Sequence, residues 1–108
     1  MTPLLIYVTC SDQNEAKRLA SHLLEQRLIA CANIMAPHIA VYEWDGEICD
    51  EPETVVIFKT SNELYEKLET EIIKHHSYDV PCILALDIEK GHKPFLDWIN
   101  DATGAKAS

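Results

Sequence analysis

An α+β domain, ordered strand, helix, strand, strand, helix, strand and terminal helix, is predicted by three observations. These are two amphipathic helical stripes, a long apolar stretch between them that turns back at an Asp-Gly dipeptide, and short apolar runs before the first stripe and after the second. Each of the first two helices then joins strands that a third strand can separate, which is the split βαβ pattern of ferredoxin-like folds. Right-handed crossovers place the end of the first strand, the hairpin tip and the junction of the second helix with the last strand at one end of the molecule.

Residues 4–9 are a continuous apolar run of strand formers, the pattern of a central strand covered on both faces. Asp12 and Glu15 have the spacing of an acidic capping box. Ala16, Leu19, Ala20, Leu23 and Leu24 follow as a helical stripe, so a helix is expected over about residues 13–27. Residues 30–44 carry no charge until Glu43, and Asp45-Gly46 suits a two-residue hairpin turn into residues 47–60. Thr60 and Glu63 repeat the capping spacing, and Leu64, Leu68 and Ile72 form a second stripe that stops near His75, with Pro81 opposing continuation. Residues 83–88 read as the last strand, closed by a turn at Gly91, and Pro94 suits the first turn of a short terminal helix. The small, polar residues 102–108 are expected to fray.

The hairpin is too long for its domain. A strand of about fourteen residues spans roughly 46 Å, whereas a chain of this length has a radius of gyration near ~13 Å. Part of it must overhang, exposing strand edges with Val41, Tyr42, Trp44 and Ile48, and this predicts a closed homo-oligomer built by sheet extension. A two-residue turn at Asp45-Gly46 pairs positions so that Pro37 faces Thr54, with Pro52 nearby. Both prolines remove ladder donors, which predicts a bend or bulge there.

Composition narrows the function classes. One domain is expected from 108 residues that are 47% hydrophobic and 25% charged, and intrinsic disorder is excluded. The net charge of -9 leaves little from which to build a nucleic-acid or anionic-membrane surface. All six acidic residues between positions 31 and 58 fall from Glu43 to Glu53, around the hairpin tip, where they blunt uncontrolled edge pairing. With no secretory leader and no apolar run near the ~20 residues that span a bilayer, a cytoplasmic protein with reduced thiols is expected. Enzymatic signatures are absent, including a Gly-rich phosphate loop, H-E-x-x-H and G-x-S-x-G, so a non-enzymatic role is expected. Five histidines and four cysteines supply ligands suited to copper and zinc, but the cysteines are evenly scattered without a C-x-x-C pair, which excludes a structural zinc knot.

Val8-Thr9-Cys10, Asp12, and the run from Leu23 to Ile34 closely resemble the opening of the CutA divalent-cation-tolerance family. Tyr42-Glu43-Trp44-Asp45-Gly46-Glu47-Ile48 resembles its aromatic hairpin tip. Phe58-Lys59-Thr60, His76-Ser77-Tyr78-Asp79-Val80-Pro81 and Phe95-Leu96-Asp97-Trp98-Ile99 continue the likeness to the terminal helix. The resemblance covers nearly the whole chain. It implies a ferredoxin-like, PII-like homotrimer assembled through long hairpin strands, and a link to copper and other divalent metals. It also implies metal ligands at Cys10, His75 and His76. Ser77 stands where the family usually has proline, and Cys82 where a glutamate is common, making Cys82 an extra candidate ligand that would favour softer metals such as Cu(I).

The predicted topology brings Cys10 and the His75-His76 pair to the same end of the sheet. One thiolate and two imidazoles suit copper or zinc with a coordination position left open. Two plainer readings stand beside this one. Cys10 is also what a small buried hydrophobe at a strand end looks like, and neighbouring helical residues point about 100° apart, so His75 and His76 reach one ion only if the helix end unwinds. Cys31 and Cys49 read as packing residues and His22 as a solvated helix residue. Two further functions remain open: a PII-like small-ligand sensor or adaptor, and a stable trimeric scaffold whose metal binding is incidental.

Overall fold

In the computed structural model, which describes residues 2–104, the chain forms five strands and three helices. Strand β1 (Pro3–Cys10) leads through Ser11 and Asp12 into α1 (Gln13–Glu25); β2 (Cys31–Ile34) and β3 (His38–Trp44) follow; β4 (Glu47–Ser61) returns along both. A short 3₁₀ turn at Asn62–Leu64 enters α2 (Tyr65–His75), and β5 (Ile83–Asp87) and α3 (Lys93–Ala102) complete the described chain.

The strands are ordered β2-β4-β1-β5, with β3 continuing the hairpin alongside β4, and all their pairings are antiparallel. Strands β1 and β2 therefore run parallel with β4 between them, as do β4 and β5 with β1 between them. This places the end of β1, the end of α2 and the outgoing hairpin together. Cys10 pairs with Thr54, so everything on β4 from Glu53 back to its start projects past the end of β1. The principal extents, 47 × 27 × 22 Å, and the radius of gyration of 14.7 Å record that overhang.

The hairpin register agrees with the turn chemistry, His38 pairing with Glu53 and Trp44 with Glu47. Asp45 and Gly46 both have positive φ, 53° and 79°, as a two-residue turn of this hand requires. Closer to the core the register changes, because Ile34 pairs with Val56. Three residues, Met35 to Pro37, thus oppose two on β4. This is a bulge at the predicted place, and it divides what reads in sequence as one strand into β2 and β3.

The core lies between the sheet and the helices α1 and α2. Leu4, Ile6 and Val8 of β1, Val56 and Phe58 of β4, Leu19 and Leu23 of α1, and Leu68 and Ile72 of α2 are buried together. Each fully buried side chain of this size stabilises the fold by about 1.5–3 kcal/mol. Three expectations are corrected. The second helix does not begin at a Thr60–Glu63 box: Thr60 is still in β4, fully buried, and its hydroxyl donates to the Leu28 carbonyl at 2.7 Å. Strand β1 is covered on only one face within the chain, since Leu5 and Tyr7 alternate with its buried residues and their ladder partners Leu86 and Leu84 are exposed. Residues 102–104 do not fray. Thr103 is buried and bonds back to Ile99, and the Gly104 amide donates to the Arg27 carbonyl at 2.9 Å. Residues 105–108 of the expected tail lie outside the described chain.

Candidate metal centre

The junction of β1 with α1 is built by a displaced capping box. The Glu15 amide donates to Asp12 Oδ1 at 2.8 Å, as the spacing predicts, but the Glu15 carboxylate returns to Ser11 rather than to Asp12. Glu15 Oε1 accepts from the Ser11 amide at 2.9 Å and from its hydroxyl at 3.0 Å, while Oε2 accepts from the Ser77 amide at 2.8 Å. Glu15 therefore ties the start of α1 to the chain leaving α2. Burial opposes ionisation here, yet the donors from Ser11 and Ser77 outweigh it and hold the carboxyl down at about 2. A buried carboxylate with three hydrogen-bond donors stays charged.

Helix α2 ends at His76, whose backbone is extended, with φ -85° and ψ 146°. The His76 ring leaves the helix and enters the junction. Its Nε2 donates to the Thr9 carbonyl at 2.8 Å, and its Nδ1 accepts from the Tyr78 amide at 3.0 Å. A carbonyl only accepts and an amide only donates, so these partners select the neutral tautomer protonated on Nε2. The side chain is fully buried, with Glu15 Oε2 3.8 Å from Nδ1.

Cys10 lies at the centre of this junction. Its sulfur, a Glu15 oxygen and a His76 nitrogen all lie within 4.8 Å of one another. Burial, reinforced by the charges of Glu15, Asp12 and Glu53, pushes the Cys10 thiol up to about 12, so it carries its proton at neutral pH. Thr54, its partner across the β1–β4 ladder, is fully buried, and its hydroxyl lacks a hydrogen-bond partner among the described residues. The donor set is thus one thiol, one carboxylate and one imidazole, with an unmet hydroxyl beside them. A cation displacing the thiol proton would meet ligands that suit copper or zinc.

The sequence-predicted residues divide among three places. Cys10 and His76 converge. His75 remains in the last helical turn, and its ring turns to Glu71 and His22. Cys82 precedes β5 opposite Thr9 and lines a cavity on the other face of the sheet, with Tyr7, Tyr42 and Tyr78. All four cysteines are free thiols. Glu15, a member of the convergent group, reads in sequence only as a helix-capping residue. The usable signal was its place in the first turn of α1, directly after the strand that ends at Cys10.

A family model described as CutA1 divalent ion tolerance protein matches residues 4–102. The chain is 43% identical over 96 residues to the divalent-cation tolerance protein CutA of Archaeoglobus fulgidus, a match covering 89% of this chain and 93% of that protein. It is 34% identical over 100 residues to the protein of the same name from Thermus thermophilus, covering 93% and 97% respectively. Among solved structures, CutA1 from Oryza sativa superposes with a TM-score of 0.94 at 33% identity, over 96% of this chain and 95% of that one. The divalent ion tolerance protein CutA1 from Ehrlichia chaffeensis gives 0.91 at 37% identity, over 94% and 95%.

Proposed function

Because the chain belongs to the CutA1 divalent ion tolerance family, we propose that it is a cytoplasmic, trimeric metal-binding protein that acts in tolerance of copper and other divalent cations. Cys10, Glu15 and His76 are its thiolate, carboxylate and imidazole donors in this reading. The observation that carries it is the convergence of these three ligand atoms within 4.8 Å, at a buried junction assembled from β1, α1 and the end of α2. Sulfur and nitrogen donors favour copper and zinc over harder cations. Trimeric, PII-like assembly is supported by the strand order, the projecting hairpin and the open sheet face. Equilibrium dialysis against Cu(I), Cu(II) and Zn(II) tests the metal reading. Stoichiometric copper binding that disappears in Cys10→Ser and His76→Ala is expected, and binding unchanged by both substitutions overturns the assignment.

One observation favours a second reading. Both His76 ring nitrogens are already bonded to backbone groups, and the Glu15 carboxylate already accepts from Ser11 and Ser77. The group then serves as a clasp that holds the segment after α2 to the end of β1, within a stable trimeric scaffold whose cation binding is incidental. Weak binding indifferent to Cys10→Ser, together with marked destabilisation by His76→Ala, belongs to the clasp.

A further inference from the structure

A second ligand group lies on the outer side of the helices, apart from Cys10. His22, near the end of α1, and His75, at the end of α2, both direct Nε2 at the same carboxylate oxygen, Glu71 Oε1, at 2.7 and 3.6 Å. Glu71 and His75 are four residues apart on α2 and so share a face of that helix. The two imidazole rings lie 4.1 Å apart between centroids, tilted by 48°. The three ligand atoms fall within 4.8 Å of one another. Unlike the buried junction, this group meets solvent, His75 being 40% exposed and His22 29%. An open cavity of about 340 Å³ adjoins the two histidines.

We infer that His22, Glu71 and His75 form a separate, exchangeable site for a borderline divalent cation of the zinc or copper(II) class. Two imidazoles and a carboxylate without sulfur favour these ions over soft Cu(I), and three protein ligands leave coordination positions for water. The ligands come from two helices whose packing is set by the core beneath them, so little ordering is required on binding. The hydrogen bond between His22 Nε2 and Glu71 Oε1 lies where the cation binds, so a neutral His22 coordinates through Nε2 with its single ring proton on Nδ1. The same cavity is lined by Arg18 and Lys74, whose positive charges oppose a cation, and reaches Glu15 and His76 of the junction. Open to solvent and held by three protein ligands, the site exchanges faster than a closed structural one.

Zinc titration calorimetry on the full chain tests the site, with His22→Ala, His75→Ala, Glu71→Gln and Cys10→Ser compared. Loss of either histidine should weaken zinc binding by about tenfold or more, the lower end of what disturbing the partners of a ligating histidine costs. Glu71→Gln should weaken it as well, while Cys10→Ser leaves the zinc binding that depends on His22 and His75 unchanged. Imidazole resonances followed by NMR should show His22 and His75 shifting together on adding zinc, which separates ligand loss from misfolding. A zinc isotherm indifferent to His22→Ala and His75→Ala overturns the site, as does zinc binding lost in Cys10→Ser alone. Stabilisation by inorganic phosphate that depends on His22 and Lys74, with no zinc response, would make the cleft an anion pocket and equally overturn it. Failure of copper at Cys10 and failure of zinc at His22 are read in different variants, so either assignment can fall alone.

Discussion

Glu15 shows how a single residue changes meaning on folding. In the sequence it is the third residue of a helix, a position that favours acids for helix capping alone. In the structure its two oxygens accept three hydrogen bonds from residues on either side of the junction. Its folded value of about 2 lies below the ordinary 4.5. The resulting stabilisation is therefore fully present above pH 4.5 and fades as pH falls toward 2, amounting at neutral pH to about 3 kcal/mol. Glu15→Gln should lose that much at pH 7 and show a flatter stability profile between pH 4.5 and 2. Urea unfolding of both proteins at pH 7, 4 and 3 measures it, and parallel profiles would refute the role given to the carboxylate. His75 and His76 carry the same lesson. The family resemblance implied one site for both, but the chain turns extended at His76 and sends their rings to different clusters.

At the scale of elements, the hairpin was the most legible part of the chain. Asp45-Gly46 determined its register, and Pro37 and Pro52 marked the region where that register breaks. The length of each bulged piece depended on how β4 pairs with β1, which local pattern does not contain. Gly46, at φ 79°, has nothing within 4 Å of where a Cβ would stand, so Gly46→Ala carries a conformational cost alone. That cost is about 1 kcal/mol, and hydrogen exchange should locate it in β3 and the outer half of β4. Protection unchanged there would contradict the turn assignment. The start of α2 was misread because Thr60 and Glu63 have capping spacing, whereas Thr60 is buried, bonds to Leu28 and stays in β4, which runs on to Ser61 before a 3₁₀ turn leads into α2 at Tyr65. Tertiary packing outweighed a local signal worth about 1 kcal/mol.

For the whole molecule, what remains uncovered is as informative as what is packed. Val41 and Trp44 are each 69% exposed and Ile48 is 82% exposed along the projecting hairpin, while Leu84 and Leu86 stand open on the free face of the sheet. Apolar surface of this extent on strands is a surface for association. Sedimentation equilibrium at micromolar concentration should give three times the 12.2 kDa mass of the chain, and a 12.2 kDa species would remove the trimer.

The sequence by itself determined the kinds and order of the main elements, the hairpin turn and the two helical faces that enter the core, because periodicity and turn chemistry are local properties. It also marked Cys10 and His76 as residues of interest. Only the tertiary structure decided that Glu15 completes their group, that His75 joins His22 and Glu71 instead, and that Cys82 lies across the sheet. Those groupings depend on which side of a strand or helix meets its neighbour, and on where α2 unwinds. Both are settled by packing between segments up to 67 residues apart, as in the bond from His76 to Thr9.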